Sequence, residues 1–317
     1  MRRASVYVLT GLAVFLVAIA VLLRFYVLPN VLVTPLDQFA ESFAPGTGTR
    51  FDVATLSEVE NVDMVAHRTL RGDVAASSKT VGVWDESVVL SDSEGNMINT
   101  TTDRVAWDRK TGEAVNCCNE NVDGVPTKHK GLSYKFPFNA EKTTYPFFDT
   151  TAKVARPMKY QASEKLQGLT VYRYQQRVEP QQIGVLDVPG DLVGSDEPSV
   201  EAPRYYDNTR TVWVEPLSGV IVKGQEQQHQ VLKDEAGADA VTLIQVTLTF
   251  DARTQKQQAD LAKDARSQAA LVGTWVPLGA LLLGIICAVA AAVLARRDDE
   301  DGDDVGGARR RQPAAVG

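Results

Sequence analysis

Six aromatic side chains, Tyr134, Phe136, Phe138, Tyr145, Phe147 and Phe148, fall within fifteen residues of a 317-residue chain that holds 23 aromatics in all. Alternation of Tyr134, Phe136 and Phe138 along a strand would turn all three rings to one face. Two readings follow: an ordinary sheet core, or the wall and mouth of an apolar cavity, since ligand pockets are lined mainly by hydrophobic and aromatic groups. Cys117 and Cys118 are adjacent in a loop expected over Asn116 to Gly124, and in an oxidising compartment they could bond to each other or to another chain. The third cysteine, Cys287, lies in an apolar run apart from them. His67, His129 and His229 are widely separated, and the chain has no G-x-S-x-G, H-E-x-x-H or phosphate-loop motif and no Cys/His metal spacing. No catalytic role, metal or cofactor is therefore expected.

Short β-branched and aromatic runs separated by Gly, Pro, Asn and Asp clusters hold these rings in place, from Pro29 to Phe250. Strands are expected over 80–84, 101–107, 132–136, 170–176, 209–214, 220–225 and 241–250. No strand–glycine–helix unit interrupts them, which excludes a doubly wound nucleotide-binding fold. Two turns share an acidic-x-x-hydroxyl-Gly pattern after a Trp-bearing strand: Asp108 to Gly112 and Glu215 to Gly219. Each predicts a hairpin, with Gly supplying the positive φ.

Two uncharged stretches, Ala4 to Leu23 and Leu271 to Leu294, exclude an ordinary soluble protein. At about 1.5 Å rise per residue each is long enough to cross a bilayer as a helix. The first has no A-x-A-like cleavage site and reads as an uncleaved signal anchor, with Arg24 and Tyr26 at its interface. Arg2 and Arg3 precede the first span and Arg296 and Arg297 follow the second, which predicts two cytoplasmic termini and residues 24–270 outside. Ala280, Gly284, Ala288 and Ala292 form a small-residue stripe on the second span, suited to the first span or to a second copy of the chain.

The expected order is a cytoplasmic N-terminus (1–3), a first span (4–23), an extracytoplasmic β-rich domain (24–250), a polar helical stalk (251–270), a second span (271–295) and a disordered cytoplasmic tail (296–317). The fold class is mainly β, an antiparallel and curved or barrel-like sheet flanked by terminal transmembrane helices. Membrane lipids are the expected partners. Nucleic acid is excluded, because residues 25–270 carry 25 Lys/Arg against 34 Asp/Glu and lack a basic footprint.

Three segments resemble an actinobacterial family of two-span envelope proteins, the porin PorA family. They are Asp103 to Val115, Tyr134 to Phe138 with Lys142 and Tyr145 following, and Trp213 to Val222. The two-span arrangement is similar as well. The resemblance implies an envelope channel or a channel-associated protein. A lipid- or hydrophobe-binding ectodomain built on the Tyr134 to Phe148 aromatics, and a structural envelope protein, are the readings that the residues leave beside it.

Overall fold

The computed structural model describes residues 2–27 and 33–308. Met1, the start of the expected strand region at Pro29, and the basic end of the tail at Arg309 to Arg311 lie outside the described residues. The chain divides into a helical unit, Met1–Leu32 with Arg266–Gly317, and a strand unit, Val33–Ala265.

In the helical unit, α1 (Arg2–Leu22) passes into a π-helical turn, Leu23–Val27. A second π-helical turn, Leu271–Trp275, leads into α3 (Val276–Ala308). Residues Ala4–Val27 and Ala252–Arg296 form two helices long and apolar enough to cross a membrane. They pack on each other where side chains are small. A Cβ at Gly284 would lie 3.3 Å from the Ala13 carbonyl oxygen and 3.3 Å from Val17 Cγ2. Arg24 Nη1 donates to the Gly273 carbonyl oxygen at 3.1 Å, closing the pair at its π-helical end. α3 runs across the acidic residues from Asp298 and ends at Ala308, so this part of the expected disordered tail is helical.

Among the described residues of the strand unit, twelve strands form one antiparallel sheet. They are β1 (Phe39–Asp52), β2 (Ser57–Gly72), β3 (Val81–Asp92), β4 (Met97–Asp108), β5 (Asn121–Val122), β6 (Val125–Pro126), β7 (Tyr145–Asp149), β8 (Val154–Leu166), β9 (Leu169–Val188), β10 (Val200–Val214), β11 (Ile221–Lys233) and β12 (Asp239–Thr249). Their spatial order is β6-β5-β4-β3-β2-β1-β12-β11-β10-β9-β8-β7, so the first and last strands meet at the centre. Bulges between Gly48 and Arg50, Tyr206 and Asn208, and Gln230 and Val231 bend the long strands. Bends of this kind raise the local twist and curl a wide sheet, here into a half-barrel.

The two look-alike turns form with the same hydrogen bonds. Gly112 N–H donates to Asp108 O and Gly219 N–H to Glu215 O, while Asp108 N–H donates to Glu113 O and Glu215 N–H to Val220 O. Both glycines have positive φ, 78° and 74°.

One expected strand does not form. Residues 132–136 make only isolated bridges, Glu113↔Leu132 and Leu132↔Phe147. Their backbone is spent on turns and on β7: Leu132 N–H donates to Pro146 O at 2.8 Å and Phe136 N–H to Gly219 O at 2.9 Å. Pro137 then removes a donor from any further ladder.

The helix expected after the last strand is α2 (Ala252–Ala270). Asp251 Oδ1 accepts the Thr254 N–H at 2.7 Å, an N-cap. Lys256 and Lys263 pair with Asp260 at 2.6 and 3.5 Å, as their spacing predicts. It is less of a free stalk than its polarity implied: Ala259 and Ala262 are fully buried against Leu169, Val171 and Val222. Thr254 Oγ1 accepts the Phe43 N–H at 3.0 Å, fastening the first turn of α2 to β1.

Candidate functional site

Each of four strands carries a charged residue on its inward face. On β2 the inward series is Met64, Ala66, Arg68, Leu70, and on β3 it is Trp84, Glu86, Val88, Leu90. On β10 it includes Arg210 and Val212, and on β11 Gly224, Glu226 and Gln228. The curl sets β2–β3 across from β10–β11, so the concave face holds two ion pairs looking at each other over a cavity of about 190 Å³.

Arg68 pairs with Glu86 through Nε, its side chain 27% exposed and that of Glu86 10%. Arg210 Nε lies 2.8 Å from Glu226 Oε1, and the two residues face each other in the ladder. Arg210 also approaches Asp149 Oδ2 at 3.4 Å and donates to the Gln176 side-chain oxygen at 3.2 Å. Tyr206 O–H donates to Asp149 at 3.2 Å.

Burial pushes the Glu226 carboxyl up, but Arg210 prevails and holds it below its ordinary value. Burial wins at Glu86, which lies above its ordinary value although Arg68 draws it down. Burial opposes the charge on Arg210, yet Glu226 and Asp149 raise its pKa further. These four side chains are thus spoken for as two pairs, with the fully buried Asp149 as a third carboxylate behind Arg210.

Below this floor His129 is fully buried, its Nε2 2.8 Å from Asp103 Oδ1 and its Nδ1 3.8 Å from Glu120 Oε2. Phe148 packs on its ring at 4.4 Å between centroids. Thr150 Oγ1 donates to the other Asp103 oxygen at 3.3 Å, so the hydroxyl beside this histidine is directed to the carboxylate. No cluster of three His, Cys, Asp or Glu with metal-holding geometry occurs among the described residues.

The six aromatics part company. Tyr134, Phe147 and Phe148 line the cavity. Phe136 and Tyr145 join Leu132, Met158 and Tyr174 in the neighbouring core. Phe138 lies under the Lys135 ammonium, 3.7 Å from its ring centroid. Without a strand at 132–136, the period-two argument for a common face does not apply: Tyr134 stacks on Trp84, at 5.7 Å, and Phe136 on Tyr174, at 4.6 Å.

Cys117 and Cys118 are bonded to each other, in a loop where Asn116, Cys118 and Asn119 all have positive φ. Of the small-residue stripe, Gly284 is buried against α1, Ala280 is half-buried, and Ala288 and Ala292 are exposed. The buried line continues instead through Cys287 and Ala291. A strict four-residue step advances 400° per repeat, so it drifts about 40° off a face at each repeat, whereas alternating steps of three and four stay on it.

Arg68, Glu86, Arg210, Glu226 and Asp149 belong to no motif that the sequence offers, and nothing in it pairs Asp103 with His129. Their signal was nonetheless present: a charge at the inward phase of an alternating strand, four times over.

A family model described as Porin PorA matches residues 6–293. A Porin PorA of Corynebacterium amycolatum is 26% identical over 375 aligned positions, covering 90% of this chain and 97% of that protein. Another Porin PorA, from Corynebacterium resistens, is 27% identical over 278 positions, covering 61% of this chain and 67% of that protein. Among solved structures, an exported protein with a YmcC-like fold from Bacteroides fragilis aligns with a TM-score of 0.22 and 9% identity, over 69% of this chain and 96% of its own. The family match takes in both apolar helices and the whole half-barrel, and on that extent the chain belongs to the Porin PorA family.

Proposed function

We propose that this porin-like envelope protein forms a channel or is part of one, and that its two apolar helices rather than its strands cross the bilayer. The observation that carries the reading is the family match over residues 6–293, which includes both helices and the sheet between them. A sheet that crosses lipid must close, because an unpaired edge is intolerable in hydrocarbon. Among the described residues the sheet ends on β6, paired with β5, and on β7, which beyond β8 makes only an isolated bridge to Leu132, so the two edges do not pair with each other. The helices, by contrast, expose Leu, Ile, Val and Phe, as lipid contact requires.

Positive charge at Arg2, Arg3, Arg296 and Arg297 supports two cytoplasmic termini, with residues 24–270 on the far side as the extracytoplasmic β-rich domain, 251–270 its helical end, and 296–317 a cytoplasmic tail. A pore through so few helices requires several copies of the chain. The outward-facing Ala288 and Ala292 support close approach of a second copy along α3. We assign the protein no catalytic role.

Planar-bilayer recording on purified full-length protein tests the channel. Stepwise conductance that grows with protein concentration is expected. A silent bilayer at every concentration would overturn the conducting role and leave the family assignment intact.

A further inference from the structure

We infer that the concave cavity of the half-barrel is a binding site for an uncharged, hydroxyl-rich solute about the size of one sugar ring. Three features of the cavity define that chemistry.

Its charges exclude an ionic ligand. Of the charges that line it, Arg68 is matched by Glu86 and Arg210 by Glu226, while Asp149 is fully buried behind Arg210 and does not face the cavity. A ligand of either sign would enter without a counter-charge or would have to break a pair, leaving a recessed charge uncompensated. A neutral ligand with hydroxyl groups does neither. It takes up the N–H donors and carboxylate lone pairs that the pairs leave over, since a guanidinium has five donors and a carboxylate about four acceptor sites.

The wall then offers polar groups with little to bond. Ser133 Oγ is buried and finds no hydrogen-bond partner among the described residues, and Tyr134 Oη, also buried, has only the Asp103 carboxylate to turn to. Burial, then the Glu86 and Asp103 carboxylates, hold the Tyr134 phenol well above its ordinary 10, so it is a neutral O–H. Buried polar groups left unpaired are costly and call for an occupant. Asn99 and Thr101 add a neutral amide and a hydroxyl to the same wall.

The apolar part of the wall combines four rings, Tyr134, Phe147, Phe148 and Phe250, with aliphatic side chains such as Val88, Leu90, Val212 and Leu248. Rings of this kind cover the C–H face of a sugar while its hydroxyls reach the polar side. A volume of about 190 Å³ equals that of about six liquid waters, or roughly ten to twelve non-hydrogen atoms at protein packing density.

Isothermal titration of full-length protein in detergent, with glucose, galactose, mannose and the disaccharide maltose as probes and glutamate and choline as charged comparators, tests the site. Saturable binding of at least one sugar is expected, with glutamate and choline weaker or inert. A monosaccharide bound more tightly than maltose would support a free solute as the natural ligand; the reverse would support the end of a glycan. Ser133→Ala removes a hydroxyl that bonds nothing in the protein, and Tyr134→Phe removes one whose sole protein neighbour is the Asp103 carboxylate, itself already held by His129 and Thr150. They should melt at or above the unmodified protein and bind the sugar about three- to tenfold more weakly, the range of one hydrogen bond. No saturable heat with any sugar, tighter binding of glutamate or choline, or unchanged affinity in both variants would overturn the inference. The titration needs no conduction, so a silent bilayer does not touch it, and its failure does not touch the channel.

Discussion

Lys135 makes the strand unit's stability depend on pH in a direction opposite to that of a paired surface lysine. Its side chain is 8% exposed, its ammonium donates to Thr34 Oγ1 at 2.8 Å, and Phe138 lies beneath it. Burial lowers its pKa from the ordinary 10.5 to about 7, and the Asp108 carboxylate only partly opposes this. Between those values the unfolded chain holds a proton that the folded chain has released, so stability rises with pH across that window; below about 7 both states are charged and the cost of burial is borne in full. At about 1.4 kcal/mol per pKa unit, wild-type stability should increase by about 2 to 3 kcal/mol between about pH 6 and pH 9 from this group alone. In a unit of this size that corresponds to roughly 5–10 °C in Tm. Lys135→Met keeps the length of the side chain and removes the charge. Melting of full-length protein in detergent, followed by circular dichroism, should show the variant's pH response reduced by that amount. Lys135→Arg retains its charge at all these pH values and should lack the gain at high pH. Identical pH responses in wild type and Lys135→Met would refute the assignment of a buried, strained ammonium.

Gly219 sits at φ 74°, and a Cβ there would run into the Phe136 carbonyl. Gly219→Ala should cost about 2–4 kcal/mol by denaturant titration, whereas Gly237→Ala, at φ 82° with nothing within 4 Å, should cost only about 1–2 kcal/mol for its backbone conformation. Gly284→Leu would press on Ala13 and Val17 and should lower thermal stability in detergent, while Gly279→Leu, facing open space, should leave it unchanged. Phe136→Ala opens a cavity in a fully buried cluster and should cost about 3–5 kcal/mol. Phe138→Ala loses mainly the Lys135 contact and should cost about 1–2 kcal/mol; equal losses at the two positions would contradict the division of the aromatics.

How far the sequence revealed this molecule depends on whether each feature is local. The two long apolar helices are legible because some twenty uncharged, mostly apolar residues in a row have few other uses. The twin turns are legible because an acidic side chain two or three residues before the N–H groups it caps, and a Gly at the left-handed position, act within five residues of chain. β1, β2 and β8 passed unrecognised as strands: their polar residues, with Gly46 and Gly48 in β1, mask any alternation, although β1 and β2, and β8 and β9, pair as neighbours in the chain and only β1 reaches a distant partner, β12. The aromatic segment failed for the opposite reason. Its alternation is perfect, yet the backbone hydrogen bonds it would need are taken by the Glu215 to Gly219 turn and by β7, and no local rule sees that competition.

The charged interior was hidden by the same habit of reading. A charge among alternating residues is ordinarily assigned to the solvent face, which is correct for Glu164 and Arg173 on β8 and β9, whose pair lies largely at the surface. Arg68, Glu86, Arg210 and Glu226 break that rule in the same phase on four strands that meet only because the sheet curls. Ion pairs in such recesses are a poor device for stability, since apolar residues of similar volume often fold as well or better. A half-barrel that needed only to fold would fill its concave face as it fills the space around Phe136 and Tyr174, with rings and methyl groups. The four paired charges, together with the buried Ser133 hydroxyl that bonds nothing, are what a concave face shaped for an entering molecule would carry.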